Sequence, residues 1–151
     1  MEKPLAYFSL VAAIAMLLAA TAVFAQPTAA LQNGRWLTES GNFEVDIAPC
    51  NNALCGVVTK VLANKSMSAP GTEMPVTDTS SLMGMVILSD FQPAGDAQWK
   101  GKVFNRENGK LYSAVMSMPA SDQLLIRSYV GLPLFGKTQV WRRVGVVETA
   151  K

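Results

Sequence analysis

At 151 residues, half of them hydrophobic, the chain has the size of one domain and enough apolar content to build its core. Its net charge of +2 comes from 13 basic and 11 acidic residues, scattered except for Arg142-Arg143, which is too thin for a nucleic-acid footprint. Histidine is absent, which excludes Ser–His–Asp and Cys–His catalysis, imidazole general bases and His-ligated zinc.

Residues 1–25 read as a secretory leader. Lys3 gives a weakly positive start, Leu5 to Ala20 is apolar, and Val23-Phe24-Ala25 is a small-x-small cleavage site. A retained anchor is the competing reading, because the apolar run to Phe24 is nearly long enough to span a bilayer. The missing basic stop-transfer flank favours cleavage before Gln26, hence an exported protein whose mature form does not span the membrane.

A polar lead-in, 26–33, precedes the first strand, Gly34 to Thr38. Glu39-Ser40-Gly41-Asn42 supplies a turn, and Phe43-Glu44-Val45-Asp46-Ile47 then alternates apolar with acidic at period two, one face for a core and one for water. Pro49-Cys50-Asn51-Asn52 breaks the run, and Leu54 to Leu62 is the third strand. Ala63 to Ser81 carries Pro, Gly and many Ser/Thr without a period, a loop longer than connections usually are. Leu82 to Leu88 is an almost continuously apolar fourth strand, Asp90 to Asp96 turns, and Gln98 to Asn105 returns. Arg106-Glu107-Asn108-Gly109 is a hairpin turn, followed by Lys110 to Met118, a turn over Pro119 to Asp122, and Gln123 to Val130. An apolar loop bracketed by Gly131 and Gly136 leads to the eighth strand, Lys137 to Val144. Eight short strands without a convincing helix predict an all-β, eight-stranded antiparallel up-and-down barrel over 34–145, with a frayed tail at 146–151. Closure removes both sheet edges, and at this size the interior either fills with side chains or holds one small ligand.

Gly34-x-Trp36, the Cys50/Cys55 hairpin, Leu54-Cys55-Gly56, Gly84, Trp99-x-Gly101, Asn108-Gly109-Lys110-x-Tyr112 and Gly136-x-Thr138-x-x-Trp141-x-Arg143 follow one another along the chain. This ordered set resembles the domain-of-unknown-function 2147 family of exported bacterial proteins. The resemblance implies a periplasmic, single-domain, lipocalin-like barrel. Asn105-Arg106 departs from the family's usual Asp-Pro step, and the long loop lacks the usual Asp/Asn/Arg-rich pattern.

Cys50 and Cys55 straddle one hairpin, and in an exported protein they are most simply a structural disulfide. Alternate positions place Phe43, Val45, Trp99, Tyr112, Met116, Ile126 and Trp141 on the inward face, as the lining of a ligand cavity or as plain core. Leu132, Leu134 and Phe135 belong at the mouth, as a lid or contact surface or as a plug folded back into the barrel. The thioether pairs Met83/Met85 and Met116/Met118 suit Cu(I), but Met is also a gap-filler of cores, so no metal is expected. Arg143 is expected to lie over Trp36 as a cation–π latch, its alternative being a charge for a ligand carboxylate. The carboxylates read as solvated, so no catalytic residue and no cofactor is assigned.

The leading expectation is a periplasmic binding protein that holds a small, largely apolar molecule inside the barrel. The alternatives are a non-enzymatic envelope protein, whose barrel is filled and whose mouth grips a partner, and a carboxylate-dependent enzyme.

Overall fold

Period-two alternation becomes eight antiparallel strands in the computed structural model, which describes residues 31–69, 71–74 and 82–145. The expected leader and tail, and the lead-in before Leu31, lie outside the described residues. The strands are β1 (Gly34–Leu37), β2 (Phe43–Cys50), β3 (Ala53–Val61), β4 (Val86–Pro93), β5 (Gln98–Asn105), β6 (Lys110–Ala120), β7 (Gln123–Tyr129) and β8 (Lys137–Arg143). Each pairs with the next and β8 returns to β1, closing the barrel in up-and-down order. This order puts the β1–β2, β3–β4, β5–β6 and β7–β8 connections at one end, here the open end. The other three turns and the start of β1 share the opposite, closed end.

β2 runs through Pro49 to Cys50, where a break was expected, and β6 runs through Pro119 to Ala120, where a turn was expected. The largest difference from the sequence reading is in β4. β4 begins at Val86 instead of Leu82, because Leu82 to Met85 forms a turn closed by Met85 N–H to the Leu82 carbonyl, 3.2 Å, with Gly84 at φ +79°. The strand then runs through Asp90, where a turn was expected, and ends at Pro93. Its register with β5 jumps between Ser89 and Gln92, and Asp90 adopts φ +58°. This bulge inserts residues without ending the ladder, and it leaves Phe91 fully buried.

The interior is filled through its middle. Trp36, Val45, Leu88, Phe91, Met116, Leu124, Ile126 and Trp141 belong to one buried cluster. Two glycines on the strands make room for it. A Cβ on Gly101 would stand 2.6 Å from the Phe91 ring, and one on Gly56 would stand 2.9 Å from Leu88. Only a residue without a side chain lets ring and backbone approach this closely.

β1 meets β8 at two register positions only, Trp36↔Arg143 and Leu37↔Arg142. The closure is reinforced by side chains. The Arg143 guanidinium carbon lies 4.2 Å from the centroid of the Trp36 ring. Arg143 Nε donates to the Ser121 carbonyl (2.7 Å), Nη1 to Asn33 (2.9 Å) and Nη2 to Leu31 (2.6 Å). Trp36 Nε1 donates to the Gln32 carbonyl at 2.8 Å. One planar cation thus ties the β6–β7 turn and the segment before β1 to the indole face. Gly34 is part of the device, with φ +119° and the place of its missing Cβ only 2.9 Å from Arg143 Nη1. At the same end Cys50 and Cys55 are joined across the β2–β3 hairpin, Cα–Cα 5.7 Å.

Arg143→Ala is expected to cost about 1–3 kcal/mol by urea unfolding, and Trp36→Ala about 3–5 kcal/mol. The double variant should be clearly less than additive, and Arg143→Lys should not restore stability, since an ammonium lacks the diverging fork. Cys50→Ser with Cys55→Ser should lower unfolding free energy by about 2 kcal/mol on the chain-entropy model. Free thiols titrating in the native exported protein would refute the bridge.

Candidate functional site at the open end

The described parts of the long β3–β4 connection are not slack. Ser66 N–H donates to the Thr72 carbonyl at 2.8 Å and Met74 N–H to the Asn64 carbonyl at 2.8 Å, with Lys65 and Glu73 bridged between them. The segment is thus a small hairpin laid against the open end.

Two neighbouring turns clasp it. Asn42, fully buried in the β1–β2 turn, donates from Nδ2 to the Lys65 carbonyl (2.8 Å) and accepts Lys65 N–H at Oδ1 (2.9 Å). An amide offers a donor and an acceptor on one head, so Asn42 replaces the strand partner that Lys65 would otherwise need. From the β5–β6 turn, Arg106 donates to Asn64 Oδ1 at 2.6 Å, and its guanidinium carbon lies 5.1 Å from the Phe43 ring centroid. Burial lowers the Arg106 pKa, partly opposed by the negative charge of Glu107. The Glu107 carboxylate accepts the Met67 backbone N–H and the Ser68 hydroxyl. Burial pushes the Glu107 carboxyl up, but hydrogen bonds from Ser68, Met67 and Ser66 outweigh it and hold the pKa below the usual carboxylate value.

β1 ends at Leu37 because the chain turns back through Gly41, whose φ is +69° and whose N–H bonds the Thr38 carbonyl at 2.9 Å. The first part of β8 therefore has β7 on one side and no β1 ladder on the other. Along this seam lies a cavity of about 320 Å³ lined by Glu39, Ser40, Lys65, Ser66, Met67, Gly71, Lys137 and Gln139. A second hollow, about 440 Å³, follows the same seam past Leu37, Thr38, Gly41, Val140 and Arg142. The first cavity combines two ammonium groups, one carboxylate, two hydroxyls and an amide with the thioether of Met67 and the lysine stems. Gln139 Oε1 accepts Trp141 Nε1–H at 3.0 Å, which orients the amide and leaves its N–H donors for another partner.

The expected cavity residues Phe43, Val45, Met116, Ile126 and Trp141 are brought together as buried core, with Trp99 packed against them. Tyr112 is half-buried, its hydroxyl accepting from Asn108 Nδ2 at 2.8 Å. None of these seven lines the seam cavity. Leu132, Leu134 and Phe135 stand exposed at the open end, so a plug folded back into the barrel is not what the structure shows. Arg143 sits at the closed end, with its donors on backbone carbonyls. Sequence reasoning missed the clasp and the cavity. Gln139 was within reach, being two residues from Trp141 on the same strand face, whereas the pairing of Asn42 with Lys65 has no local signal.

The clasp carries a pH dependence. Because the folded Glu107 pKa is depressed, its contribution is present above the unfolded value, about 4.3, and is lost as pH falls through the folded value. Hydrogen exchange at Met67 and Ser68 is expected to accelerate, relative to core amides, as the pH falls below the ordinary glutamate range, and Glu107→Gln should remove that dependence.

The family model described as "Uncharacterized protein conserved in bacteria (DUF2147)" matches residues 34–143. Among solved structures, the chain is similar to HP1028 of Helicobacter pylori, described as belonging to the lipocalin family. The two are 21% identical, with a TM-score of 0.51 over 76% of this chain and 83% of that one. At that identity the likeness concerns the fold, a lipocalin-like barrel. No curated protein matches the chain.

Proposed function

The chain belongs to this family of bacterial proteins, and from that premise we propose that it is an exported, lipocalin-like binding protein for a small, largely apolar molecule with a polar end. The observation that carries the reading is the seam cavity of about 320 Å³, set between a clasped hairpin and the half of β8 that has no β1 partner. Its volume is within the range of small-molecule sites. The middle of the barrel is occupied by Leu88 and Phe91 over their glycines, so the ligand seats at the mouth.

Lys65, Lys137 and the Gln139 amide supply donors for an acidic or strongly polar head, and Met67 with the lysine stems supplies apolar contact. Binding without turnover fits the residue set. Glu107 is committed to the loop, and Glu44 lies between Arg35 and Lys60 at 3.7 and 3.5 Å. Export is proposed from the leader-like start of the sequence, and fractionation of its host should recover protein beginning at Gln26 from the periplasm.

Calorimetric titration with decanoate tests the site. Wild-type protein is expected to bind, Lys137→Glu to weaken binding by about tenfold or more, and Lys100→Glu on the outer face of β5 to leave it unchanged. Equal affinity in all three proteins would remove the seam cavity from consideration. Turnover of any ligand that is lost on substituting Glu39 would replace binding with catalysis.

A further inference from the structure

The connection from β7 to β8 displays its hydrophobic residues outward. Val130 is 75% exposed, Leu132 62%, Leu134 77% and Phe135 78%. The display is held rigidly. Arg127 donates from Nε to the Pro133 carbonyl (2.6 Å), from Nη2 to Leu134 (2.9 Å) and from Nη1 to Thr138 Oγ1 (2.8 Å). A 3-10 turn, Pro133–Phe135, is closed by Phe135 N–H to the Leu132 carbonyl at 3.1 Å and Gly136 N–H to the Pro133 carbonyl at 3.0 Å. Gly136 is pressed so close that a Cβ there would be 2.7 Å from the Ser128 carbonyl. The carbonyls of Leu132, Pro133 and Leu134 are thus held by Arg127 and the 3-10 turn while the large side chains are left in water, an unfavourable arrangement for a mere connector.

The charge around the tip says what covers it. No charged residue lies between Arg127 and Lys137, and both of those flanks are cationic. Lys110, also exposed, opens the neighbouring strand β6 at the same end. Leu111, 60% exposed, extends the apolar surface on β6, since the pairing of Ser113 with Tyr129 runs on to set it level with Gly131. Among the described residues, the acids on the connections of this end lie away from the tip: Glu39 in the β1–β2 turn, Glu73 in the loop hairpin, and Glu107 in its clasp. An exposed, uncharged apolar tip flanked by cations is complementary to a bilayer surface, where hydrocarbon receives the tip and anionic headgroups meet the flanks.

We propose that the Val130–Gly136 loop is a membrane-docking tip that inserts Leu132, Leu134 and Phe135 into the surface of an anionic bilayer. The proposal does not require the seam cavity to be occupied. Its test is flotation with vesicles of equal parts phosphatidylcholine and phosphatidylglycerol. Wild-type protein should float with the vesicles, less in high salt, and Leu134→Ser/Phe135→Ser should reduce partitioning by about tenfold or more with the melting temperature preserved. Phe135→Trp should shift its emission to the blue on vesicles and be quenched by brominated acyl chains. Wild-type protein that stays in the aqueous phase, or a double variant that floats as well as wild type, overturns the proposal. A wild-type dimer in sedimentation that the double variant abolishes, without flotation, assigns the tip to a second copy of the chain instead.

Discussion

Barrel closure depends on the stacking of Arg143 against Trp36. A closed sheet needs its first and last strands to pair, yet β1 is only four residues long and shares just two register positions with β8. So short a ladder is a weak fastening for a barrel. The guanidinium compensates by serving two chemistries at once, its face against the indole and its edge in three backbone carbonyls. Those carbonyls come from Leu31, Asn33 and Ser121, so a single side chain gathers the approach to β1 and the β6–β7 turn. The left-handed backbone of Gly34, without a Cβ, is what lets the approaching chain clear the guanidinium.

With the closed end secured, the shortness of β1 has a consequence at the other end. The wall between β1 and β8 is left without a ladder there, and the seam cavity follows that gap. The long connection supplies a partial substitute wall. It is held by polar side chains, Asn42, Arg106 and Glu107, from turns on either side. Hydrogen bonds of this kind are individually modest, and those to Glu107 depend on its ionisation, in contrast to the dry packing of the core. The barrel therefore has one end fastened by stacking and a disulfide, and an end where polar contacts define a cavity beside an apolar loop. Lys137 belongs to both features of the second end, lining the cavity and ending the charge-free tip.

Much of this was legible in the residues. Alternation at Phe43, Val45 and Ile47, turn chemistry at Gly41 and Gly109, and the spacing of cysteines across one hairpin are local signals, so eight strands and a bridged hairpin could be read directly. The latch was readable too, because neighbouring first and last strands are a topological requirement of closure. The Asp90 bulge was not. Its polar run looks like a turn, and only the close fit of Phe91 over Gly101 shows why the strand goes on.

The sequence by itself determined which faces are apolar, because side chains alternate across a strand whatever surrounds them. It therefore pointed to the barrel, its ends and an apolar loop at the mouth, whereas the exposure of that loop was decided by the fold. Only the tertiary structure decided how deeply the interior is filled and where a cavity remains. Filling depends on how residues distant in sequence approach one another, as Leu88 does Gly56, and Asn42 acquires its role only when Lys65 is folded against it. Such contacts carry no period and no spacing, so they come into being with the fold.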